Sequence, residues 1–264
     1  MPTQAPMVTR SRFSAARSCV SDVARLAQEI PLFPVERTMQ LGQLAAARAA
    51  TGSAAGGRIG WAAVFLKAYA IVAREMPSLR TWLVRGFLVS RLATASESVA
   101  TLAVNRIEDG EDRLIWGRLA APDTRSLPEI QRFIVDCAMK PMEEMFKRQL
   151  QLEMVPGFLR RTILRWNMNS FSQKRATRIG TFSLSTLAGM GATNRFHPTI
   201  CTTSLSYAPL DANGNCLVTL IADHRVLDGA VVARALVRLE EVLCHEMLAE
   251  LHGLAGTSDC ITPG

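Results

Sequence analysis

Residues 60–76, GWAAVFLKAYAIVAREM, are apolar nearly all the way round. A helix with that pattern has no face to give to water and must be packed on every side. Pro77 closes it, since a proline cannot continue the backbone hydrogen-bond ladder. Burying such a helix takes a substantial core. The chain has 264 residues, enough for one large domain or two small ones. A composition of 48% hydrophobic and 20% charged residues is that of a globular protein.

The rest of the chain supplies elements to pack around that helix. Residues 11–30 place Phe13, Ala16, Val20, Val23, Ala27 and Ile30 on a helical period, ended by Pro31. Residues 31–39 read as an extended segment that Pro34 demotes to an edge or irregular strand. Residues 40–50 are helical, and TGSAAGG at 51–57 is a loop. Strands are expected at 99–106, 113–119, 179–186, 202–208 and 216–222, the last two joined by an Asn213-Gly214 hairpin signal. Ser126-Leu127-Pro128-Glu129 opens a helix expected to run to about residue 150. From Ala230 the chain is helical, with Val232, Leu236, Leu239, Leu243 and Met247 on one stripe. Strands and helices interleave around an antiparallel hairpin, which predicts an α+β layer rather than a doubly wound parallel sheet.

Several function classes fall away. There is no G-x-G-x-x-G or Walker A sequence after a strand and no nucleic-acid-binding signature. The net charge of +7 suits an anionic partner without arguing for nucleic acid. Cys19, Cys137, Cys201, Cys216, Cys244 and Cys260 form no C-x-x-C pair, so no metal site is expected. With no secretory leader and no apolar run of 18 residues, the expected location is cytoplasmic.

The chemistry concentrates in IADHRVLDGAVVARAL, residues 221–236. His224 falls at the end of a strand, where a side chain can face a cleft, and Asp228-Gly229 sits in the turn into the next helix. A neutral imidazole accepts protons near neutral pH and suits a general base. Asp228 is placed to lie beneath it, and Gly229 to allow a tight backbone approach. Alone, a histidine beside a turn is more often structural than catalytic. His197, before Pro198, reads as a loop residue, and His245 and His252 as solvated.

DHRVLDGA resembles the H-x-x-x-D-G signature of the catalytic domain of dihydrolipoyl acyltransferases, core subunits of 2-oxoacid dehydrogenase complexes related in fold to chloramphenicol acetyltransferase. SRFSAARSCVSDVARLAQEIPLF, IGWAAVFLKAYAIVAREMPSL, VATLAVNRI, LIWGRLAAPDTRSLPEIQ and GTFSLSTLAGMG resemble further segments of that family, in order, over most of residues 10–250. The resemblance implies a single catalytic domain, residues 1–264, with a chloramphenicol acetyltransferase-like two-layer sandwich: a mixed sheet with helices packed on one side. It implies His224 as the base and Ser185 as the hydroxyl that stabilises the tetrahedral oxyanion. Asp228 becomes the aspartate of the signature, held by an arginine of the first helix, for which Arg17 is the candidate. The family's site lies between subunits of a homotrimer. The co-substrate is then an acyl-CoA or acyl-carrier-protein thioester, with no covalently bound cofactor and no nucleic acid.

The sequence also departs from the family. It contains no lipoyl-bearing domain, which points to a stand-alone acyltransferase. Thr186 follows Ser185 where an asparagine is expected, and Pro198–Thr203 replaces an Asn-Pro-Pro-Gln stretch. Residues 150–178 read as a basic insertion, and 1–10 and 253–264 as flexible termini. Within the insertion, Arg160, Arg161, Arg165, Lys174, Arg175 and Arg178 form a candidate dock for an anionic donor or a membrane surface, against a solvated amphipathic hairpin as the plainer reading. Met142, Met145, Met154 and Phe158 fit either an acyl tunnel or ordinary core. The rival functions are a non-catalytic trimeric scaffold and a complex core that recruits lipoyl proteins in trans.

Overall fold

A computed structural model describes residues 12–51, 58–86, 88–108 and 110–256. The N-terminal stretch 1–10, most of the 51–57 loop and residues 257–264 therefore lie outside the described residues. Six strands form the main sheet: β1 (Leu32–Gln40), β4 (Val99–Glu108), β5 (Glu111–Ala120), β6 (Phe182–Leu184), β7 (Thr203–Tyr207) and β8 (Asn215–Asp223). Their order is β1-β8-β7-β6-β4-β5. The short β6 pairs parallel with both β4 and β7, and the remaining pairings are antiparallel, so the sheet is mixed. Pro34 sits in β1 at the sheet edge, where its missing N–H leaves no gap in a ladder. A separate hairpin of β2 (Thr81–Val84) and β3 (Arg91–Thr94) was not expected from the sequence.

The apolar segment becomes α3 (Trp61–Glu75), with ten of its residues buried. It packs with α4 (Leu127–Met139) and α9 (Gly229–Val242), and its Lys67 pairs with Glu250 of the final α10 (Leu248–Gly256), against which α2 (Gly42–Ala50) lies. Phe182, Leu184, Leu205, Leu220 and Ala222 project from the sheet into this core. Phe65 stacks on Tyr207 at 4.3 Å, and the Tyr69 hydroxyl bonds Thr203 Oγ1 at 2.7 Å. This is the main helical layer. The opposite face is partly covered too, over β4–β6, by α1 (Ala15–Ala27), α6 (Lys147–Met154) and α7 (Gly157–Met168).

Local rules account for the boundaries. Ser126 caps α4: its hydroxyl accepts from the Glu129 amide, and the Glu129 carboxylate accepts from the Ser126 amide. The helix does not run on to residue 150. Pro141 cannot donate to the ladder, so Lys140 turns extended and the chain restarts as α5 (Met142–Met145) and α6. Gly214 of the β7–β8 connection has φ +79°, the left-handed conformation that the Asn-Gly signal anticipates.

Candidate active site

His224 follows β8 directly. Its amide donates to Pro31 O at 3.0 Å, which fastens the turn to the start of β1. Its ring lies 4.5 Å from that of Phe33, and its Nδ1 stands 3.8 Å from Asp228 Oδ1. The imidazole side chain is 55% exposed, so one face is open to a partner.

The turn is held by Asp223 rather than by Asp228. Asp223 is buried, and its carboxylate accepts from Arg225 Nε at 2.9 Å and Nη2 at 2.7 Å, and from the Arg225 amide. Its carbonyl accepts from the amides of Val226 and Leu227. Asp228 is exposed and makes no ion pair with Arg17. Arg17 sits one turn into α1, exposed, its amide bonded to the Ser14 cap. The expected Arg17–Asp228 pair is therefore replaced within the chain by Asp223–Arg225. The signal was available: an aspartate two residues before an arginine, with its side chain turned onto the following backbone. Gly229 also plays no special backbone role. Its φ is not positive, and an added Cβ would meet nothing within 4 Å.

Ser185 lies just beyond β6, its amide bonded to Leu205 O. Within one chain it is far from His224. The registers set Leu184 beside Leu205 and Leu220, whereas Asp223 stands three residues further along β8 and two strands over. Strand geometry makes the separation about 15 Å or more. One chain alone does not bring base and hydroxyl together.

Ser185 instead lines a cavity of about 550 Å³ between the sheet and α1, α6 and α7. Its floor combines small side chains, among them Thr101, Ala103 and Ser183, with Trp116 and Arg118 of β5, and its roof is aliphatic, with Val23, Leu152 and Leu164. His197 borders it as well. Its Nε2 bonds Ser204 Oγ at 2.6 Å, and Ser204 in turn bonds Ser183 Oγ at 2.6 Å. Burial lowers the imidazole pKa to about 4, so the ring is neutral. This network was not legible from residue order, which read His197 as a loop residue. Met154 and Phe158 are exposed and Met142 packs on Ile115, so none of these three forms the cavity wall.

The six basic residues of 150–178 divide sharply. Arg160 is only 2% exposed: its Nε donates to Asp22 at 2.7 Å, its Nη2 to Ser18, and its Nη1 to the carbonyls of Leu152, Glu153 and Val155. Arg175, in α8 (Lys174–Ile179), is buried over Trp82 and donates to Gly180 O and Ile200 O; burial lowers its pKa to about 10. The donors of Arg160 and both terminal nitrogens of Arg175 thus already serve the fold, and neither side chain is a surface charge free to dock an external anion. Arg161 also pairs with Asp22, Arg165 with Glu29, and Arg178 with Asn167, while Lys174 is exposed.

The five described cysteines are unbridged, and burial raises the Cys19 thiol to about 11 and those of Cys137 and Cys216 to about 12. They stay protonated and unreactive at neutral pH. Among the described residues no cluster of potential metal ligands occurs, and no helix is long and apolar enough to cross a membrane.

Neither a family model nor a curated protein sequence matches this chain. Solved structures do. A probable dihydrolipoamide acetyltransferase from Listeria monocytogenes superposes with a TM-score of 0.66 at 17% identity, over 89% of this chain and 94% of that one. The Azotobacter vinelandii dihydrolipoamide acetyltransferase gives 0.68 at 17% identity, over 95% and 100%. A truncated catalytic core of the 2-oxoacid dehydrogenase complex from Thermoplasma acidophilum gives 0.64 at 16%, over 91% and 99%. The fold is that of the dihydrolipoamide acetyltransferase catalytic core, an acyltransferase architecture. The Azotobacter structure was determined to examine a serine, a histidine and an asparagine in that enzyme's catalytic mechanism, the asparagine following the histidine at the same interval as Asp228 follows His224.

Proposed function

We propose that the protein is an acyltransferase that moves an acyl group from a thioester, acyl-CoA or an acyl carrier protein, to a thiol, hydroxyl or amine. The observation that carries this reading is the exposed His224 ring at the end of β8, in a fold shared with acetyltransferases. Nδ1 faces Asp228, which leaves Nε2 to take the acceptor's proton as the acceptor attacks the thioester carbonyl. The acyl bond to sulfur then breaks, and the departing thiolate takes the proton back from Nε2 and leaves as the thiol. Ser185 donates its hydroxyl to the tetrahedral oxyanion.

Because one chain separates Ser185 from His224, the working site takes these two groups from neighbouring copies, in keeping with a homotrimer. The free, buried thiols suit a reducing compartment such as the cytoplasm. The outer side of α7 exposes Phe158, Leu159 and Trp166 beside Arg161 and Arg165, a combination suited to peripheral contact with an anionic membrane surface.

The test is thiol release from a panel of acyl-CoA thioesters, with and without small acceptors, by wild type and His224→Ala, on material whose oligomeric state is measured. Acceptor-dependent release that vanishes in the variant is expected. Equal release by both proteins would remove His224 from the mechanism. No release with any acyl-CoA or acyl carrier protein, from a verified trimer, would favour a scaffold.

A further inference from the structure

The cavity beneath α1, α6 and α7 has mostly aliphatic walls, yet Arg118 stands on its floor without a counter-charge. Its Nη1 makes one long contact, 3.5 Å to Trp116 O, and its Nε has no partner. Burial pushes its pKa down. Two further cations line the same cavity: Arg148, which bears on Arg118, and Arg178, which donates to Asn167. Among the described residues neither Arg118 nor Arg148 has a carboxylate within ion-pair distance, whereas the buried Arg160 has its Nε and both terminal nitrogens engaged and is paired with Asp22. Arg118 is half-buried with its Nε shut off from water; a guanidinium in that position without an anion is costly, and a site that keeps one invites an anionic ligand.

We propose that this cavity binds an aliphatic chain bearing a carboxylate, the chain lying against the α1, α6 and α7 roof and the carboxylate on Arg118. This deepens the acyl-transfer reading and rests on it for its role in turnover. Ser185 lies on the same wall. Arg118 is registered beside Thr101, and Thr101 beside Ser183, which puts the arginine's strand two strands from β6, roughly 10 Å. A chain of several methylenes spans that gap. Two sources share the chemistry: a free fatty acid, or the far carboxylate of an acyl group whose thioester sits at Ser185.

Trp116 lines the cavity and supplies the readout. Wild-type protein is titrated with octanoate, decanoate and dodecanoate, and with the matching alcohols, following tryptophan fluorescence, with Trp116→Phe to identify the signal. Saturable binding of the acids is expected, tightening about fourfold per added methylene, the equivalent of about 0.8 kcal/mol, until the cavity is filled. The alcohols should bind at least tenfold more weakly, and Arg118→Gln should reduce the acids to the alcohols' level. Absence of saturable binding, or equal affinity for acid and alcohol in wild type, overturns the proposal without relying on any variant's folding.

The source is separated by turnover of acyl-CoA with and without a terminal carboxylate. An Arg118→Gln increase in KM confined to the carboxylated donor assigns the acyl group. Inhibition by free acid, without that change, assigns the fatty acid. Binding is measured without turnover, so a protein that binds the acids but transfers nothing refutes the acyl-transfer reading and leaves the cavity assignment standing.

Discussion

The His224 imidazole rests 4.5 Å from the Phe33 ring, so the group read as the base is backed by the first residues of β1, while its outer face is open. Replacing it with alanine removes little packing. His224→Ala should lower acyl transfer by about 10²–10⁴-fold, the usual worth of a general base, and shift stability by no more than about 0.5 kcal/mol. Steady-state kinetics beside urea unfolding checks both halves.

Asp22 and Arg160 join α1 to α7 deep beneath the surface, the carboxylate accepting from Arg160 and from Arg161. Asp22→Ala strands a buried guanidinium. It should cost about 3–5 kcal/mol, read as a lower urea midpoint. The double variant Asp22→Leu with Arg160→Met removes both charges and should recover much of that loss.

Two glycines with opposite surroundings form a matched pair. Gly180 has φ +100°, and an added Cβ would sit 2.2 Å from Thr101 Oγ1. Gly180→Ala should destabilise by about 1–3 kcal/mol or more, from backbone strain compounded by the clash. Gly229 opens α9 with open space around it. Gly229→Ala should stabilise by about 0.4–1 kcal/mol by restricting the unfolded chain. Thermal unfolding of the two variants should therefore move in opposite directions.

His197 supplies a pH dependence. Its pKa falls from 6.5 to about 4 on burial, so between these values the unfolded chain binds a proton that the folded chain refuses. Its contribution is complete above pH 6.5 and declines as the pH drops towards 4, by at most about 3 kcal/mol. Urea midpoints measured from pH 7 to 4.5 should fall less steeply for His197→Asn than for wild type. Parallel curves would mean that the ring is not held neutral.

Local signals made much of the fold legible. The all-round apolar pattern gave α3, Ser126 to Glu129 gave the α4 cap, and Asn213-Gly214 gave the final hairpin, since each depends on neighbours in sequence. What failed depends on distant contacts. The β2–β3 hairpin is brief and reads as loop. Arg160 and Arg175 look like surface charge in a basic run, and only partners far along the chain reveal them as buried. At the site the miss was local: the HRVLD spacing pointed to His224 and Asp228, while the anchoring Asp223–Arg225 pair lies two residues apart in the same stretch.

The Asp22–Arg160 link spans 138 residues of sequence. Non-local contacts of this kind form slowly, because a long loop must close before they are rewarded. During synthesis α1 therefore emerges well before the helix that will hold it down. Until α6 and α7 dock, the Val20 and Val23 face of α1 has no roof partner, and the cavity floor lies open. Closing this second layer should be a late folding event, and the interval before it is when the chain is most exposed to misassociation.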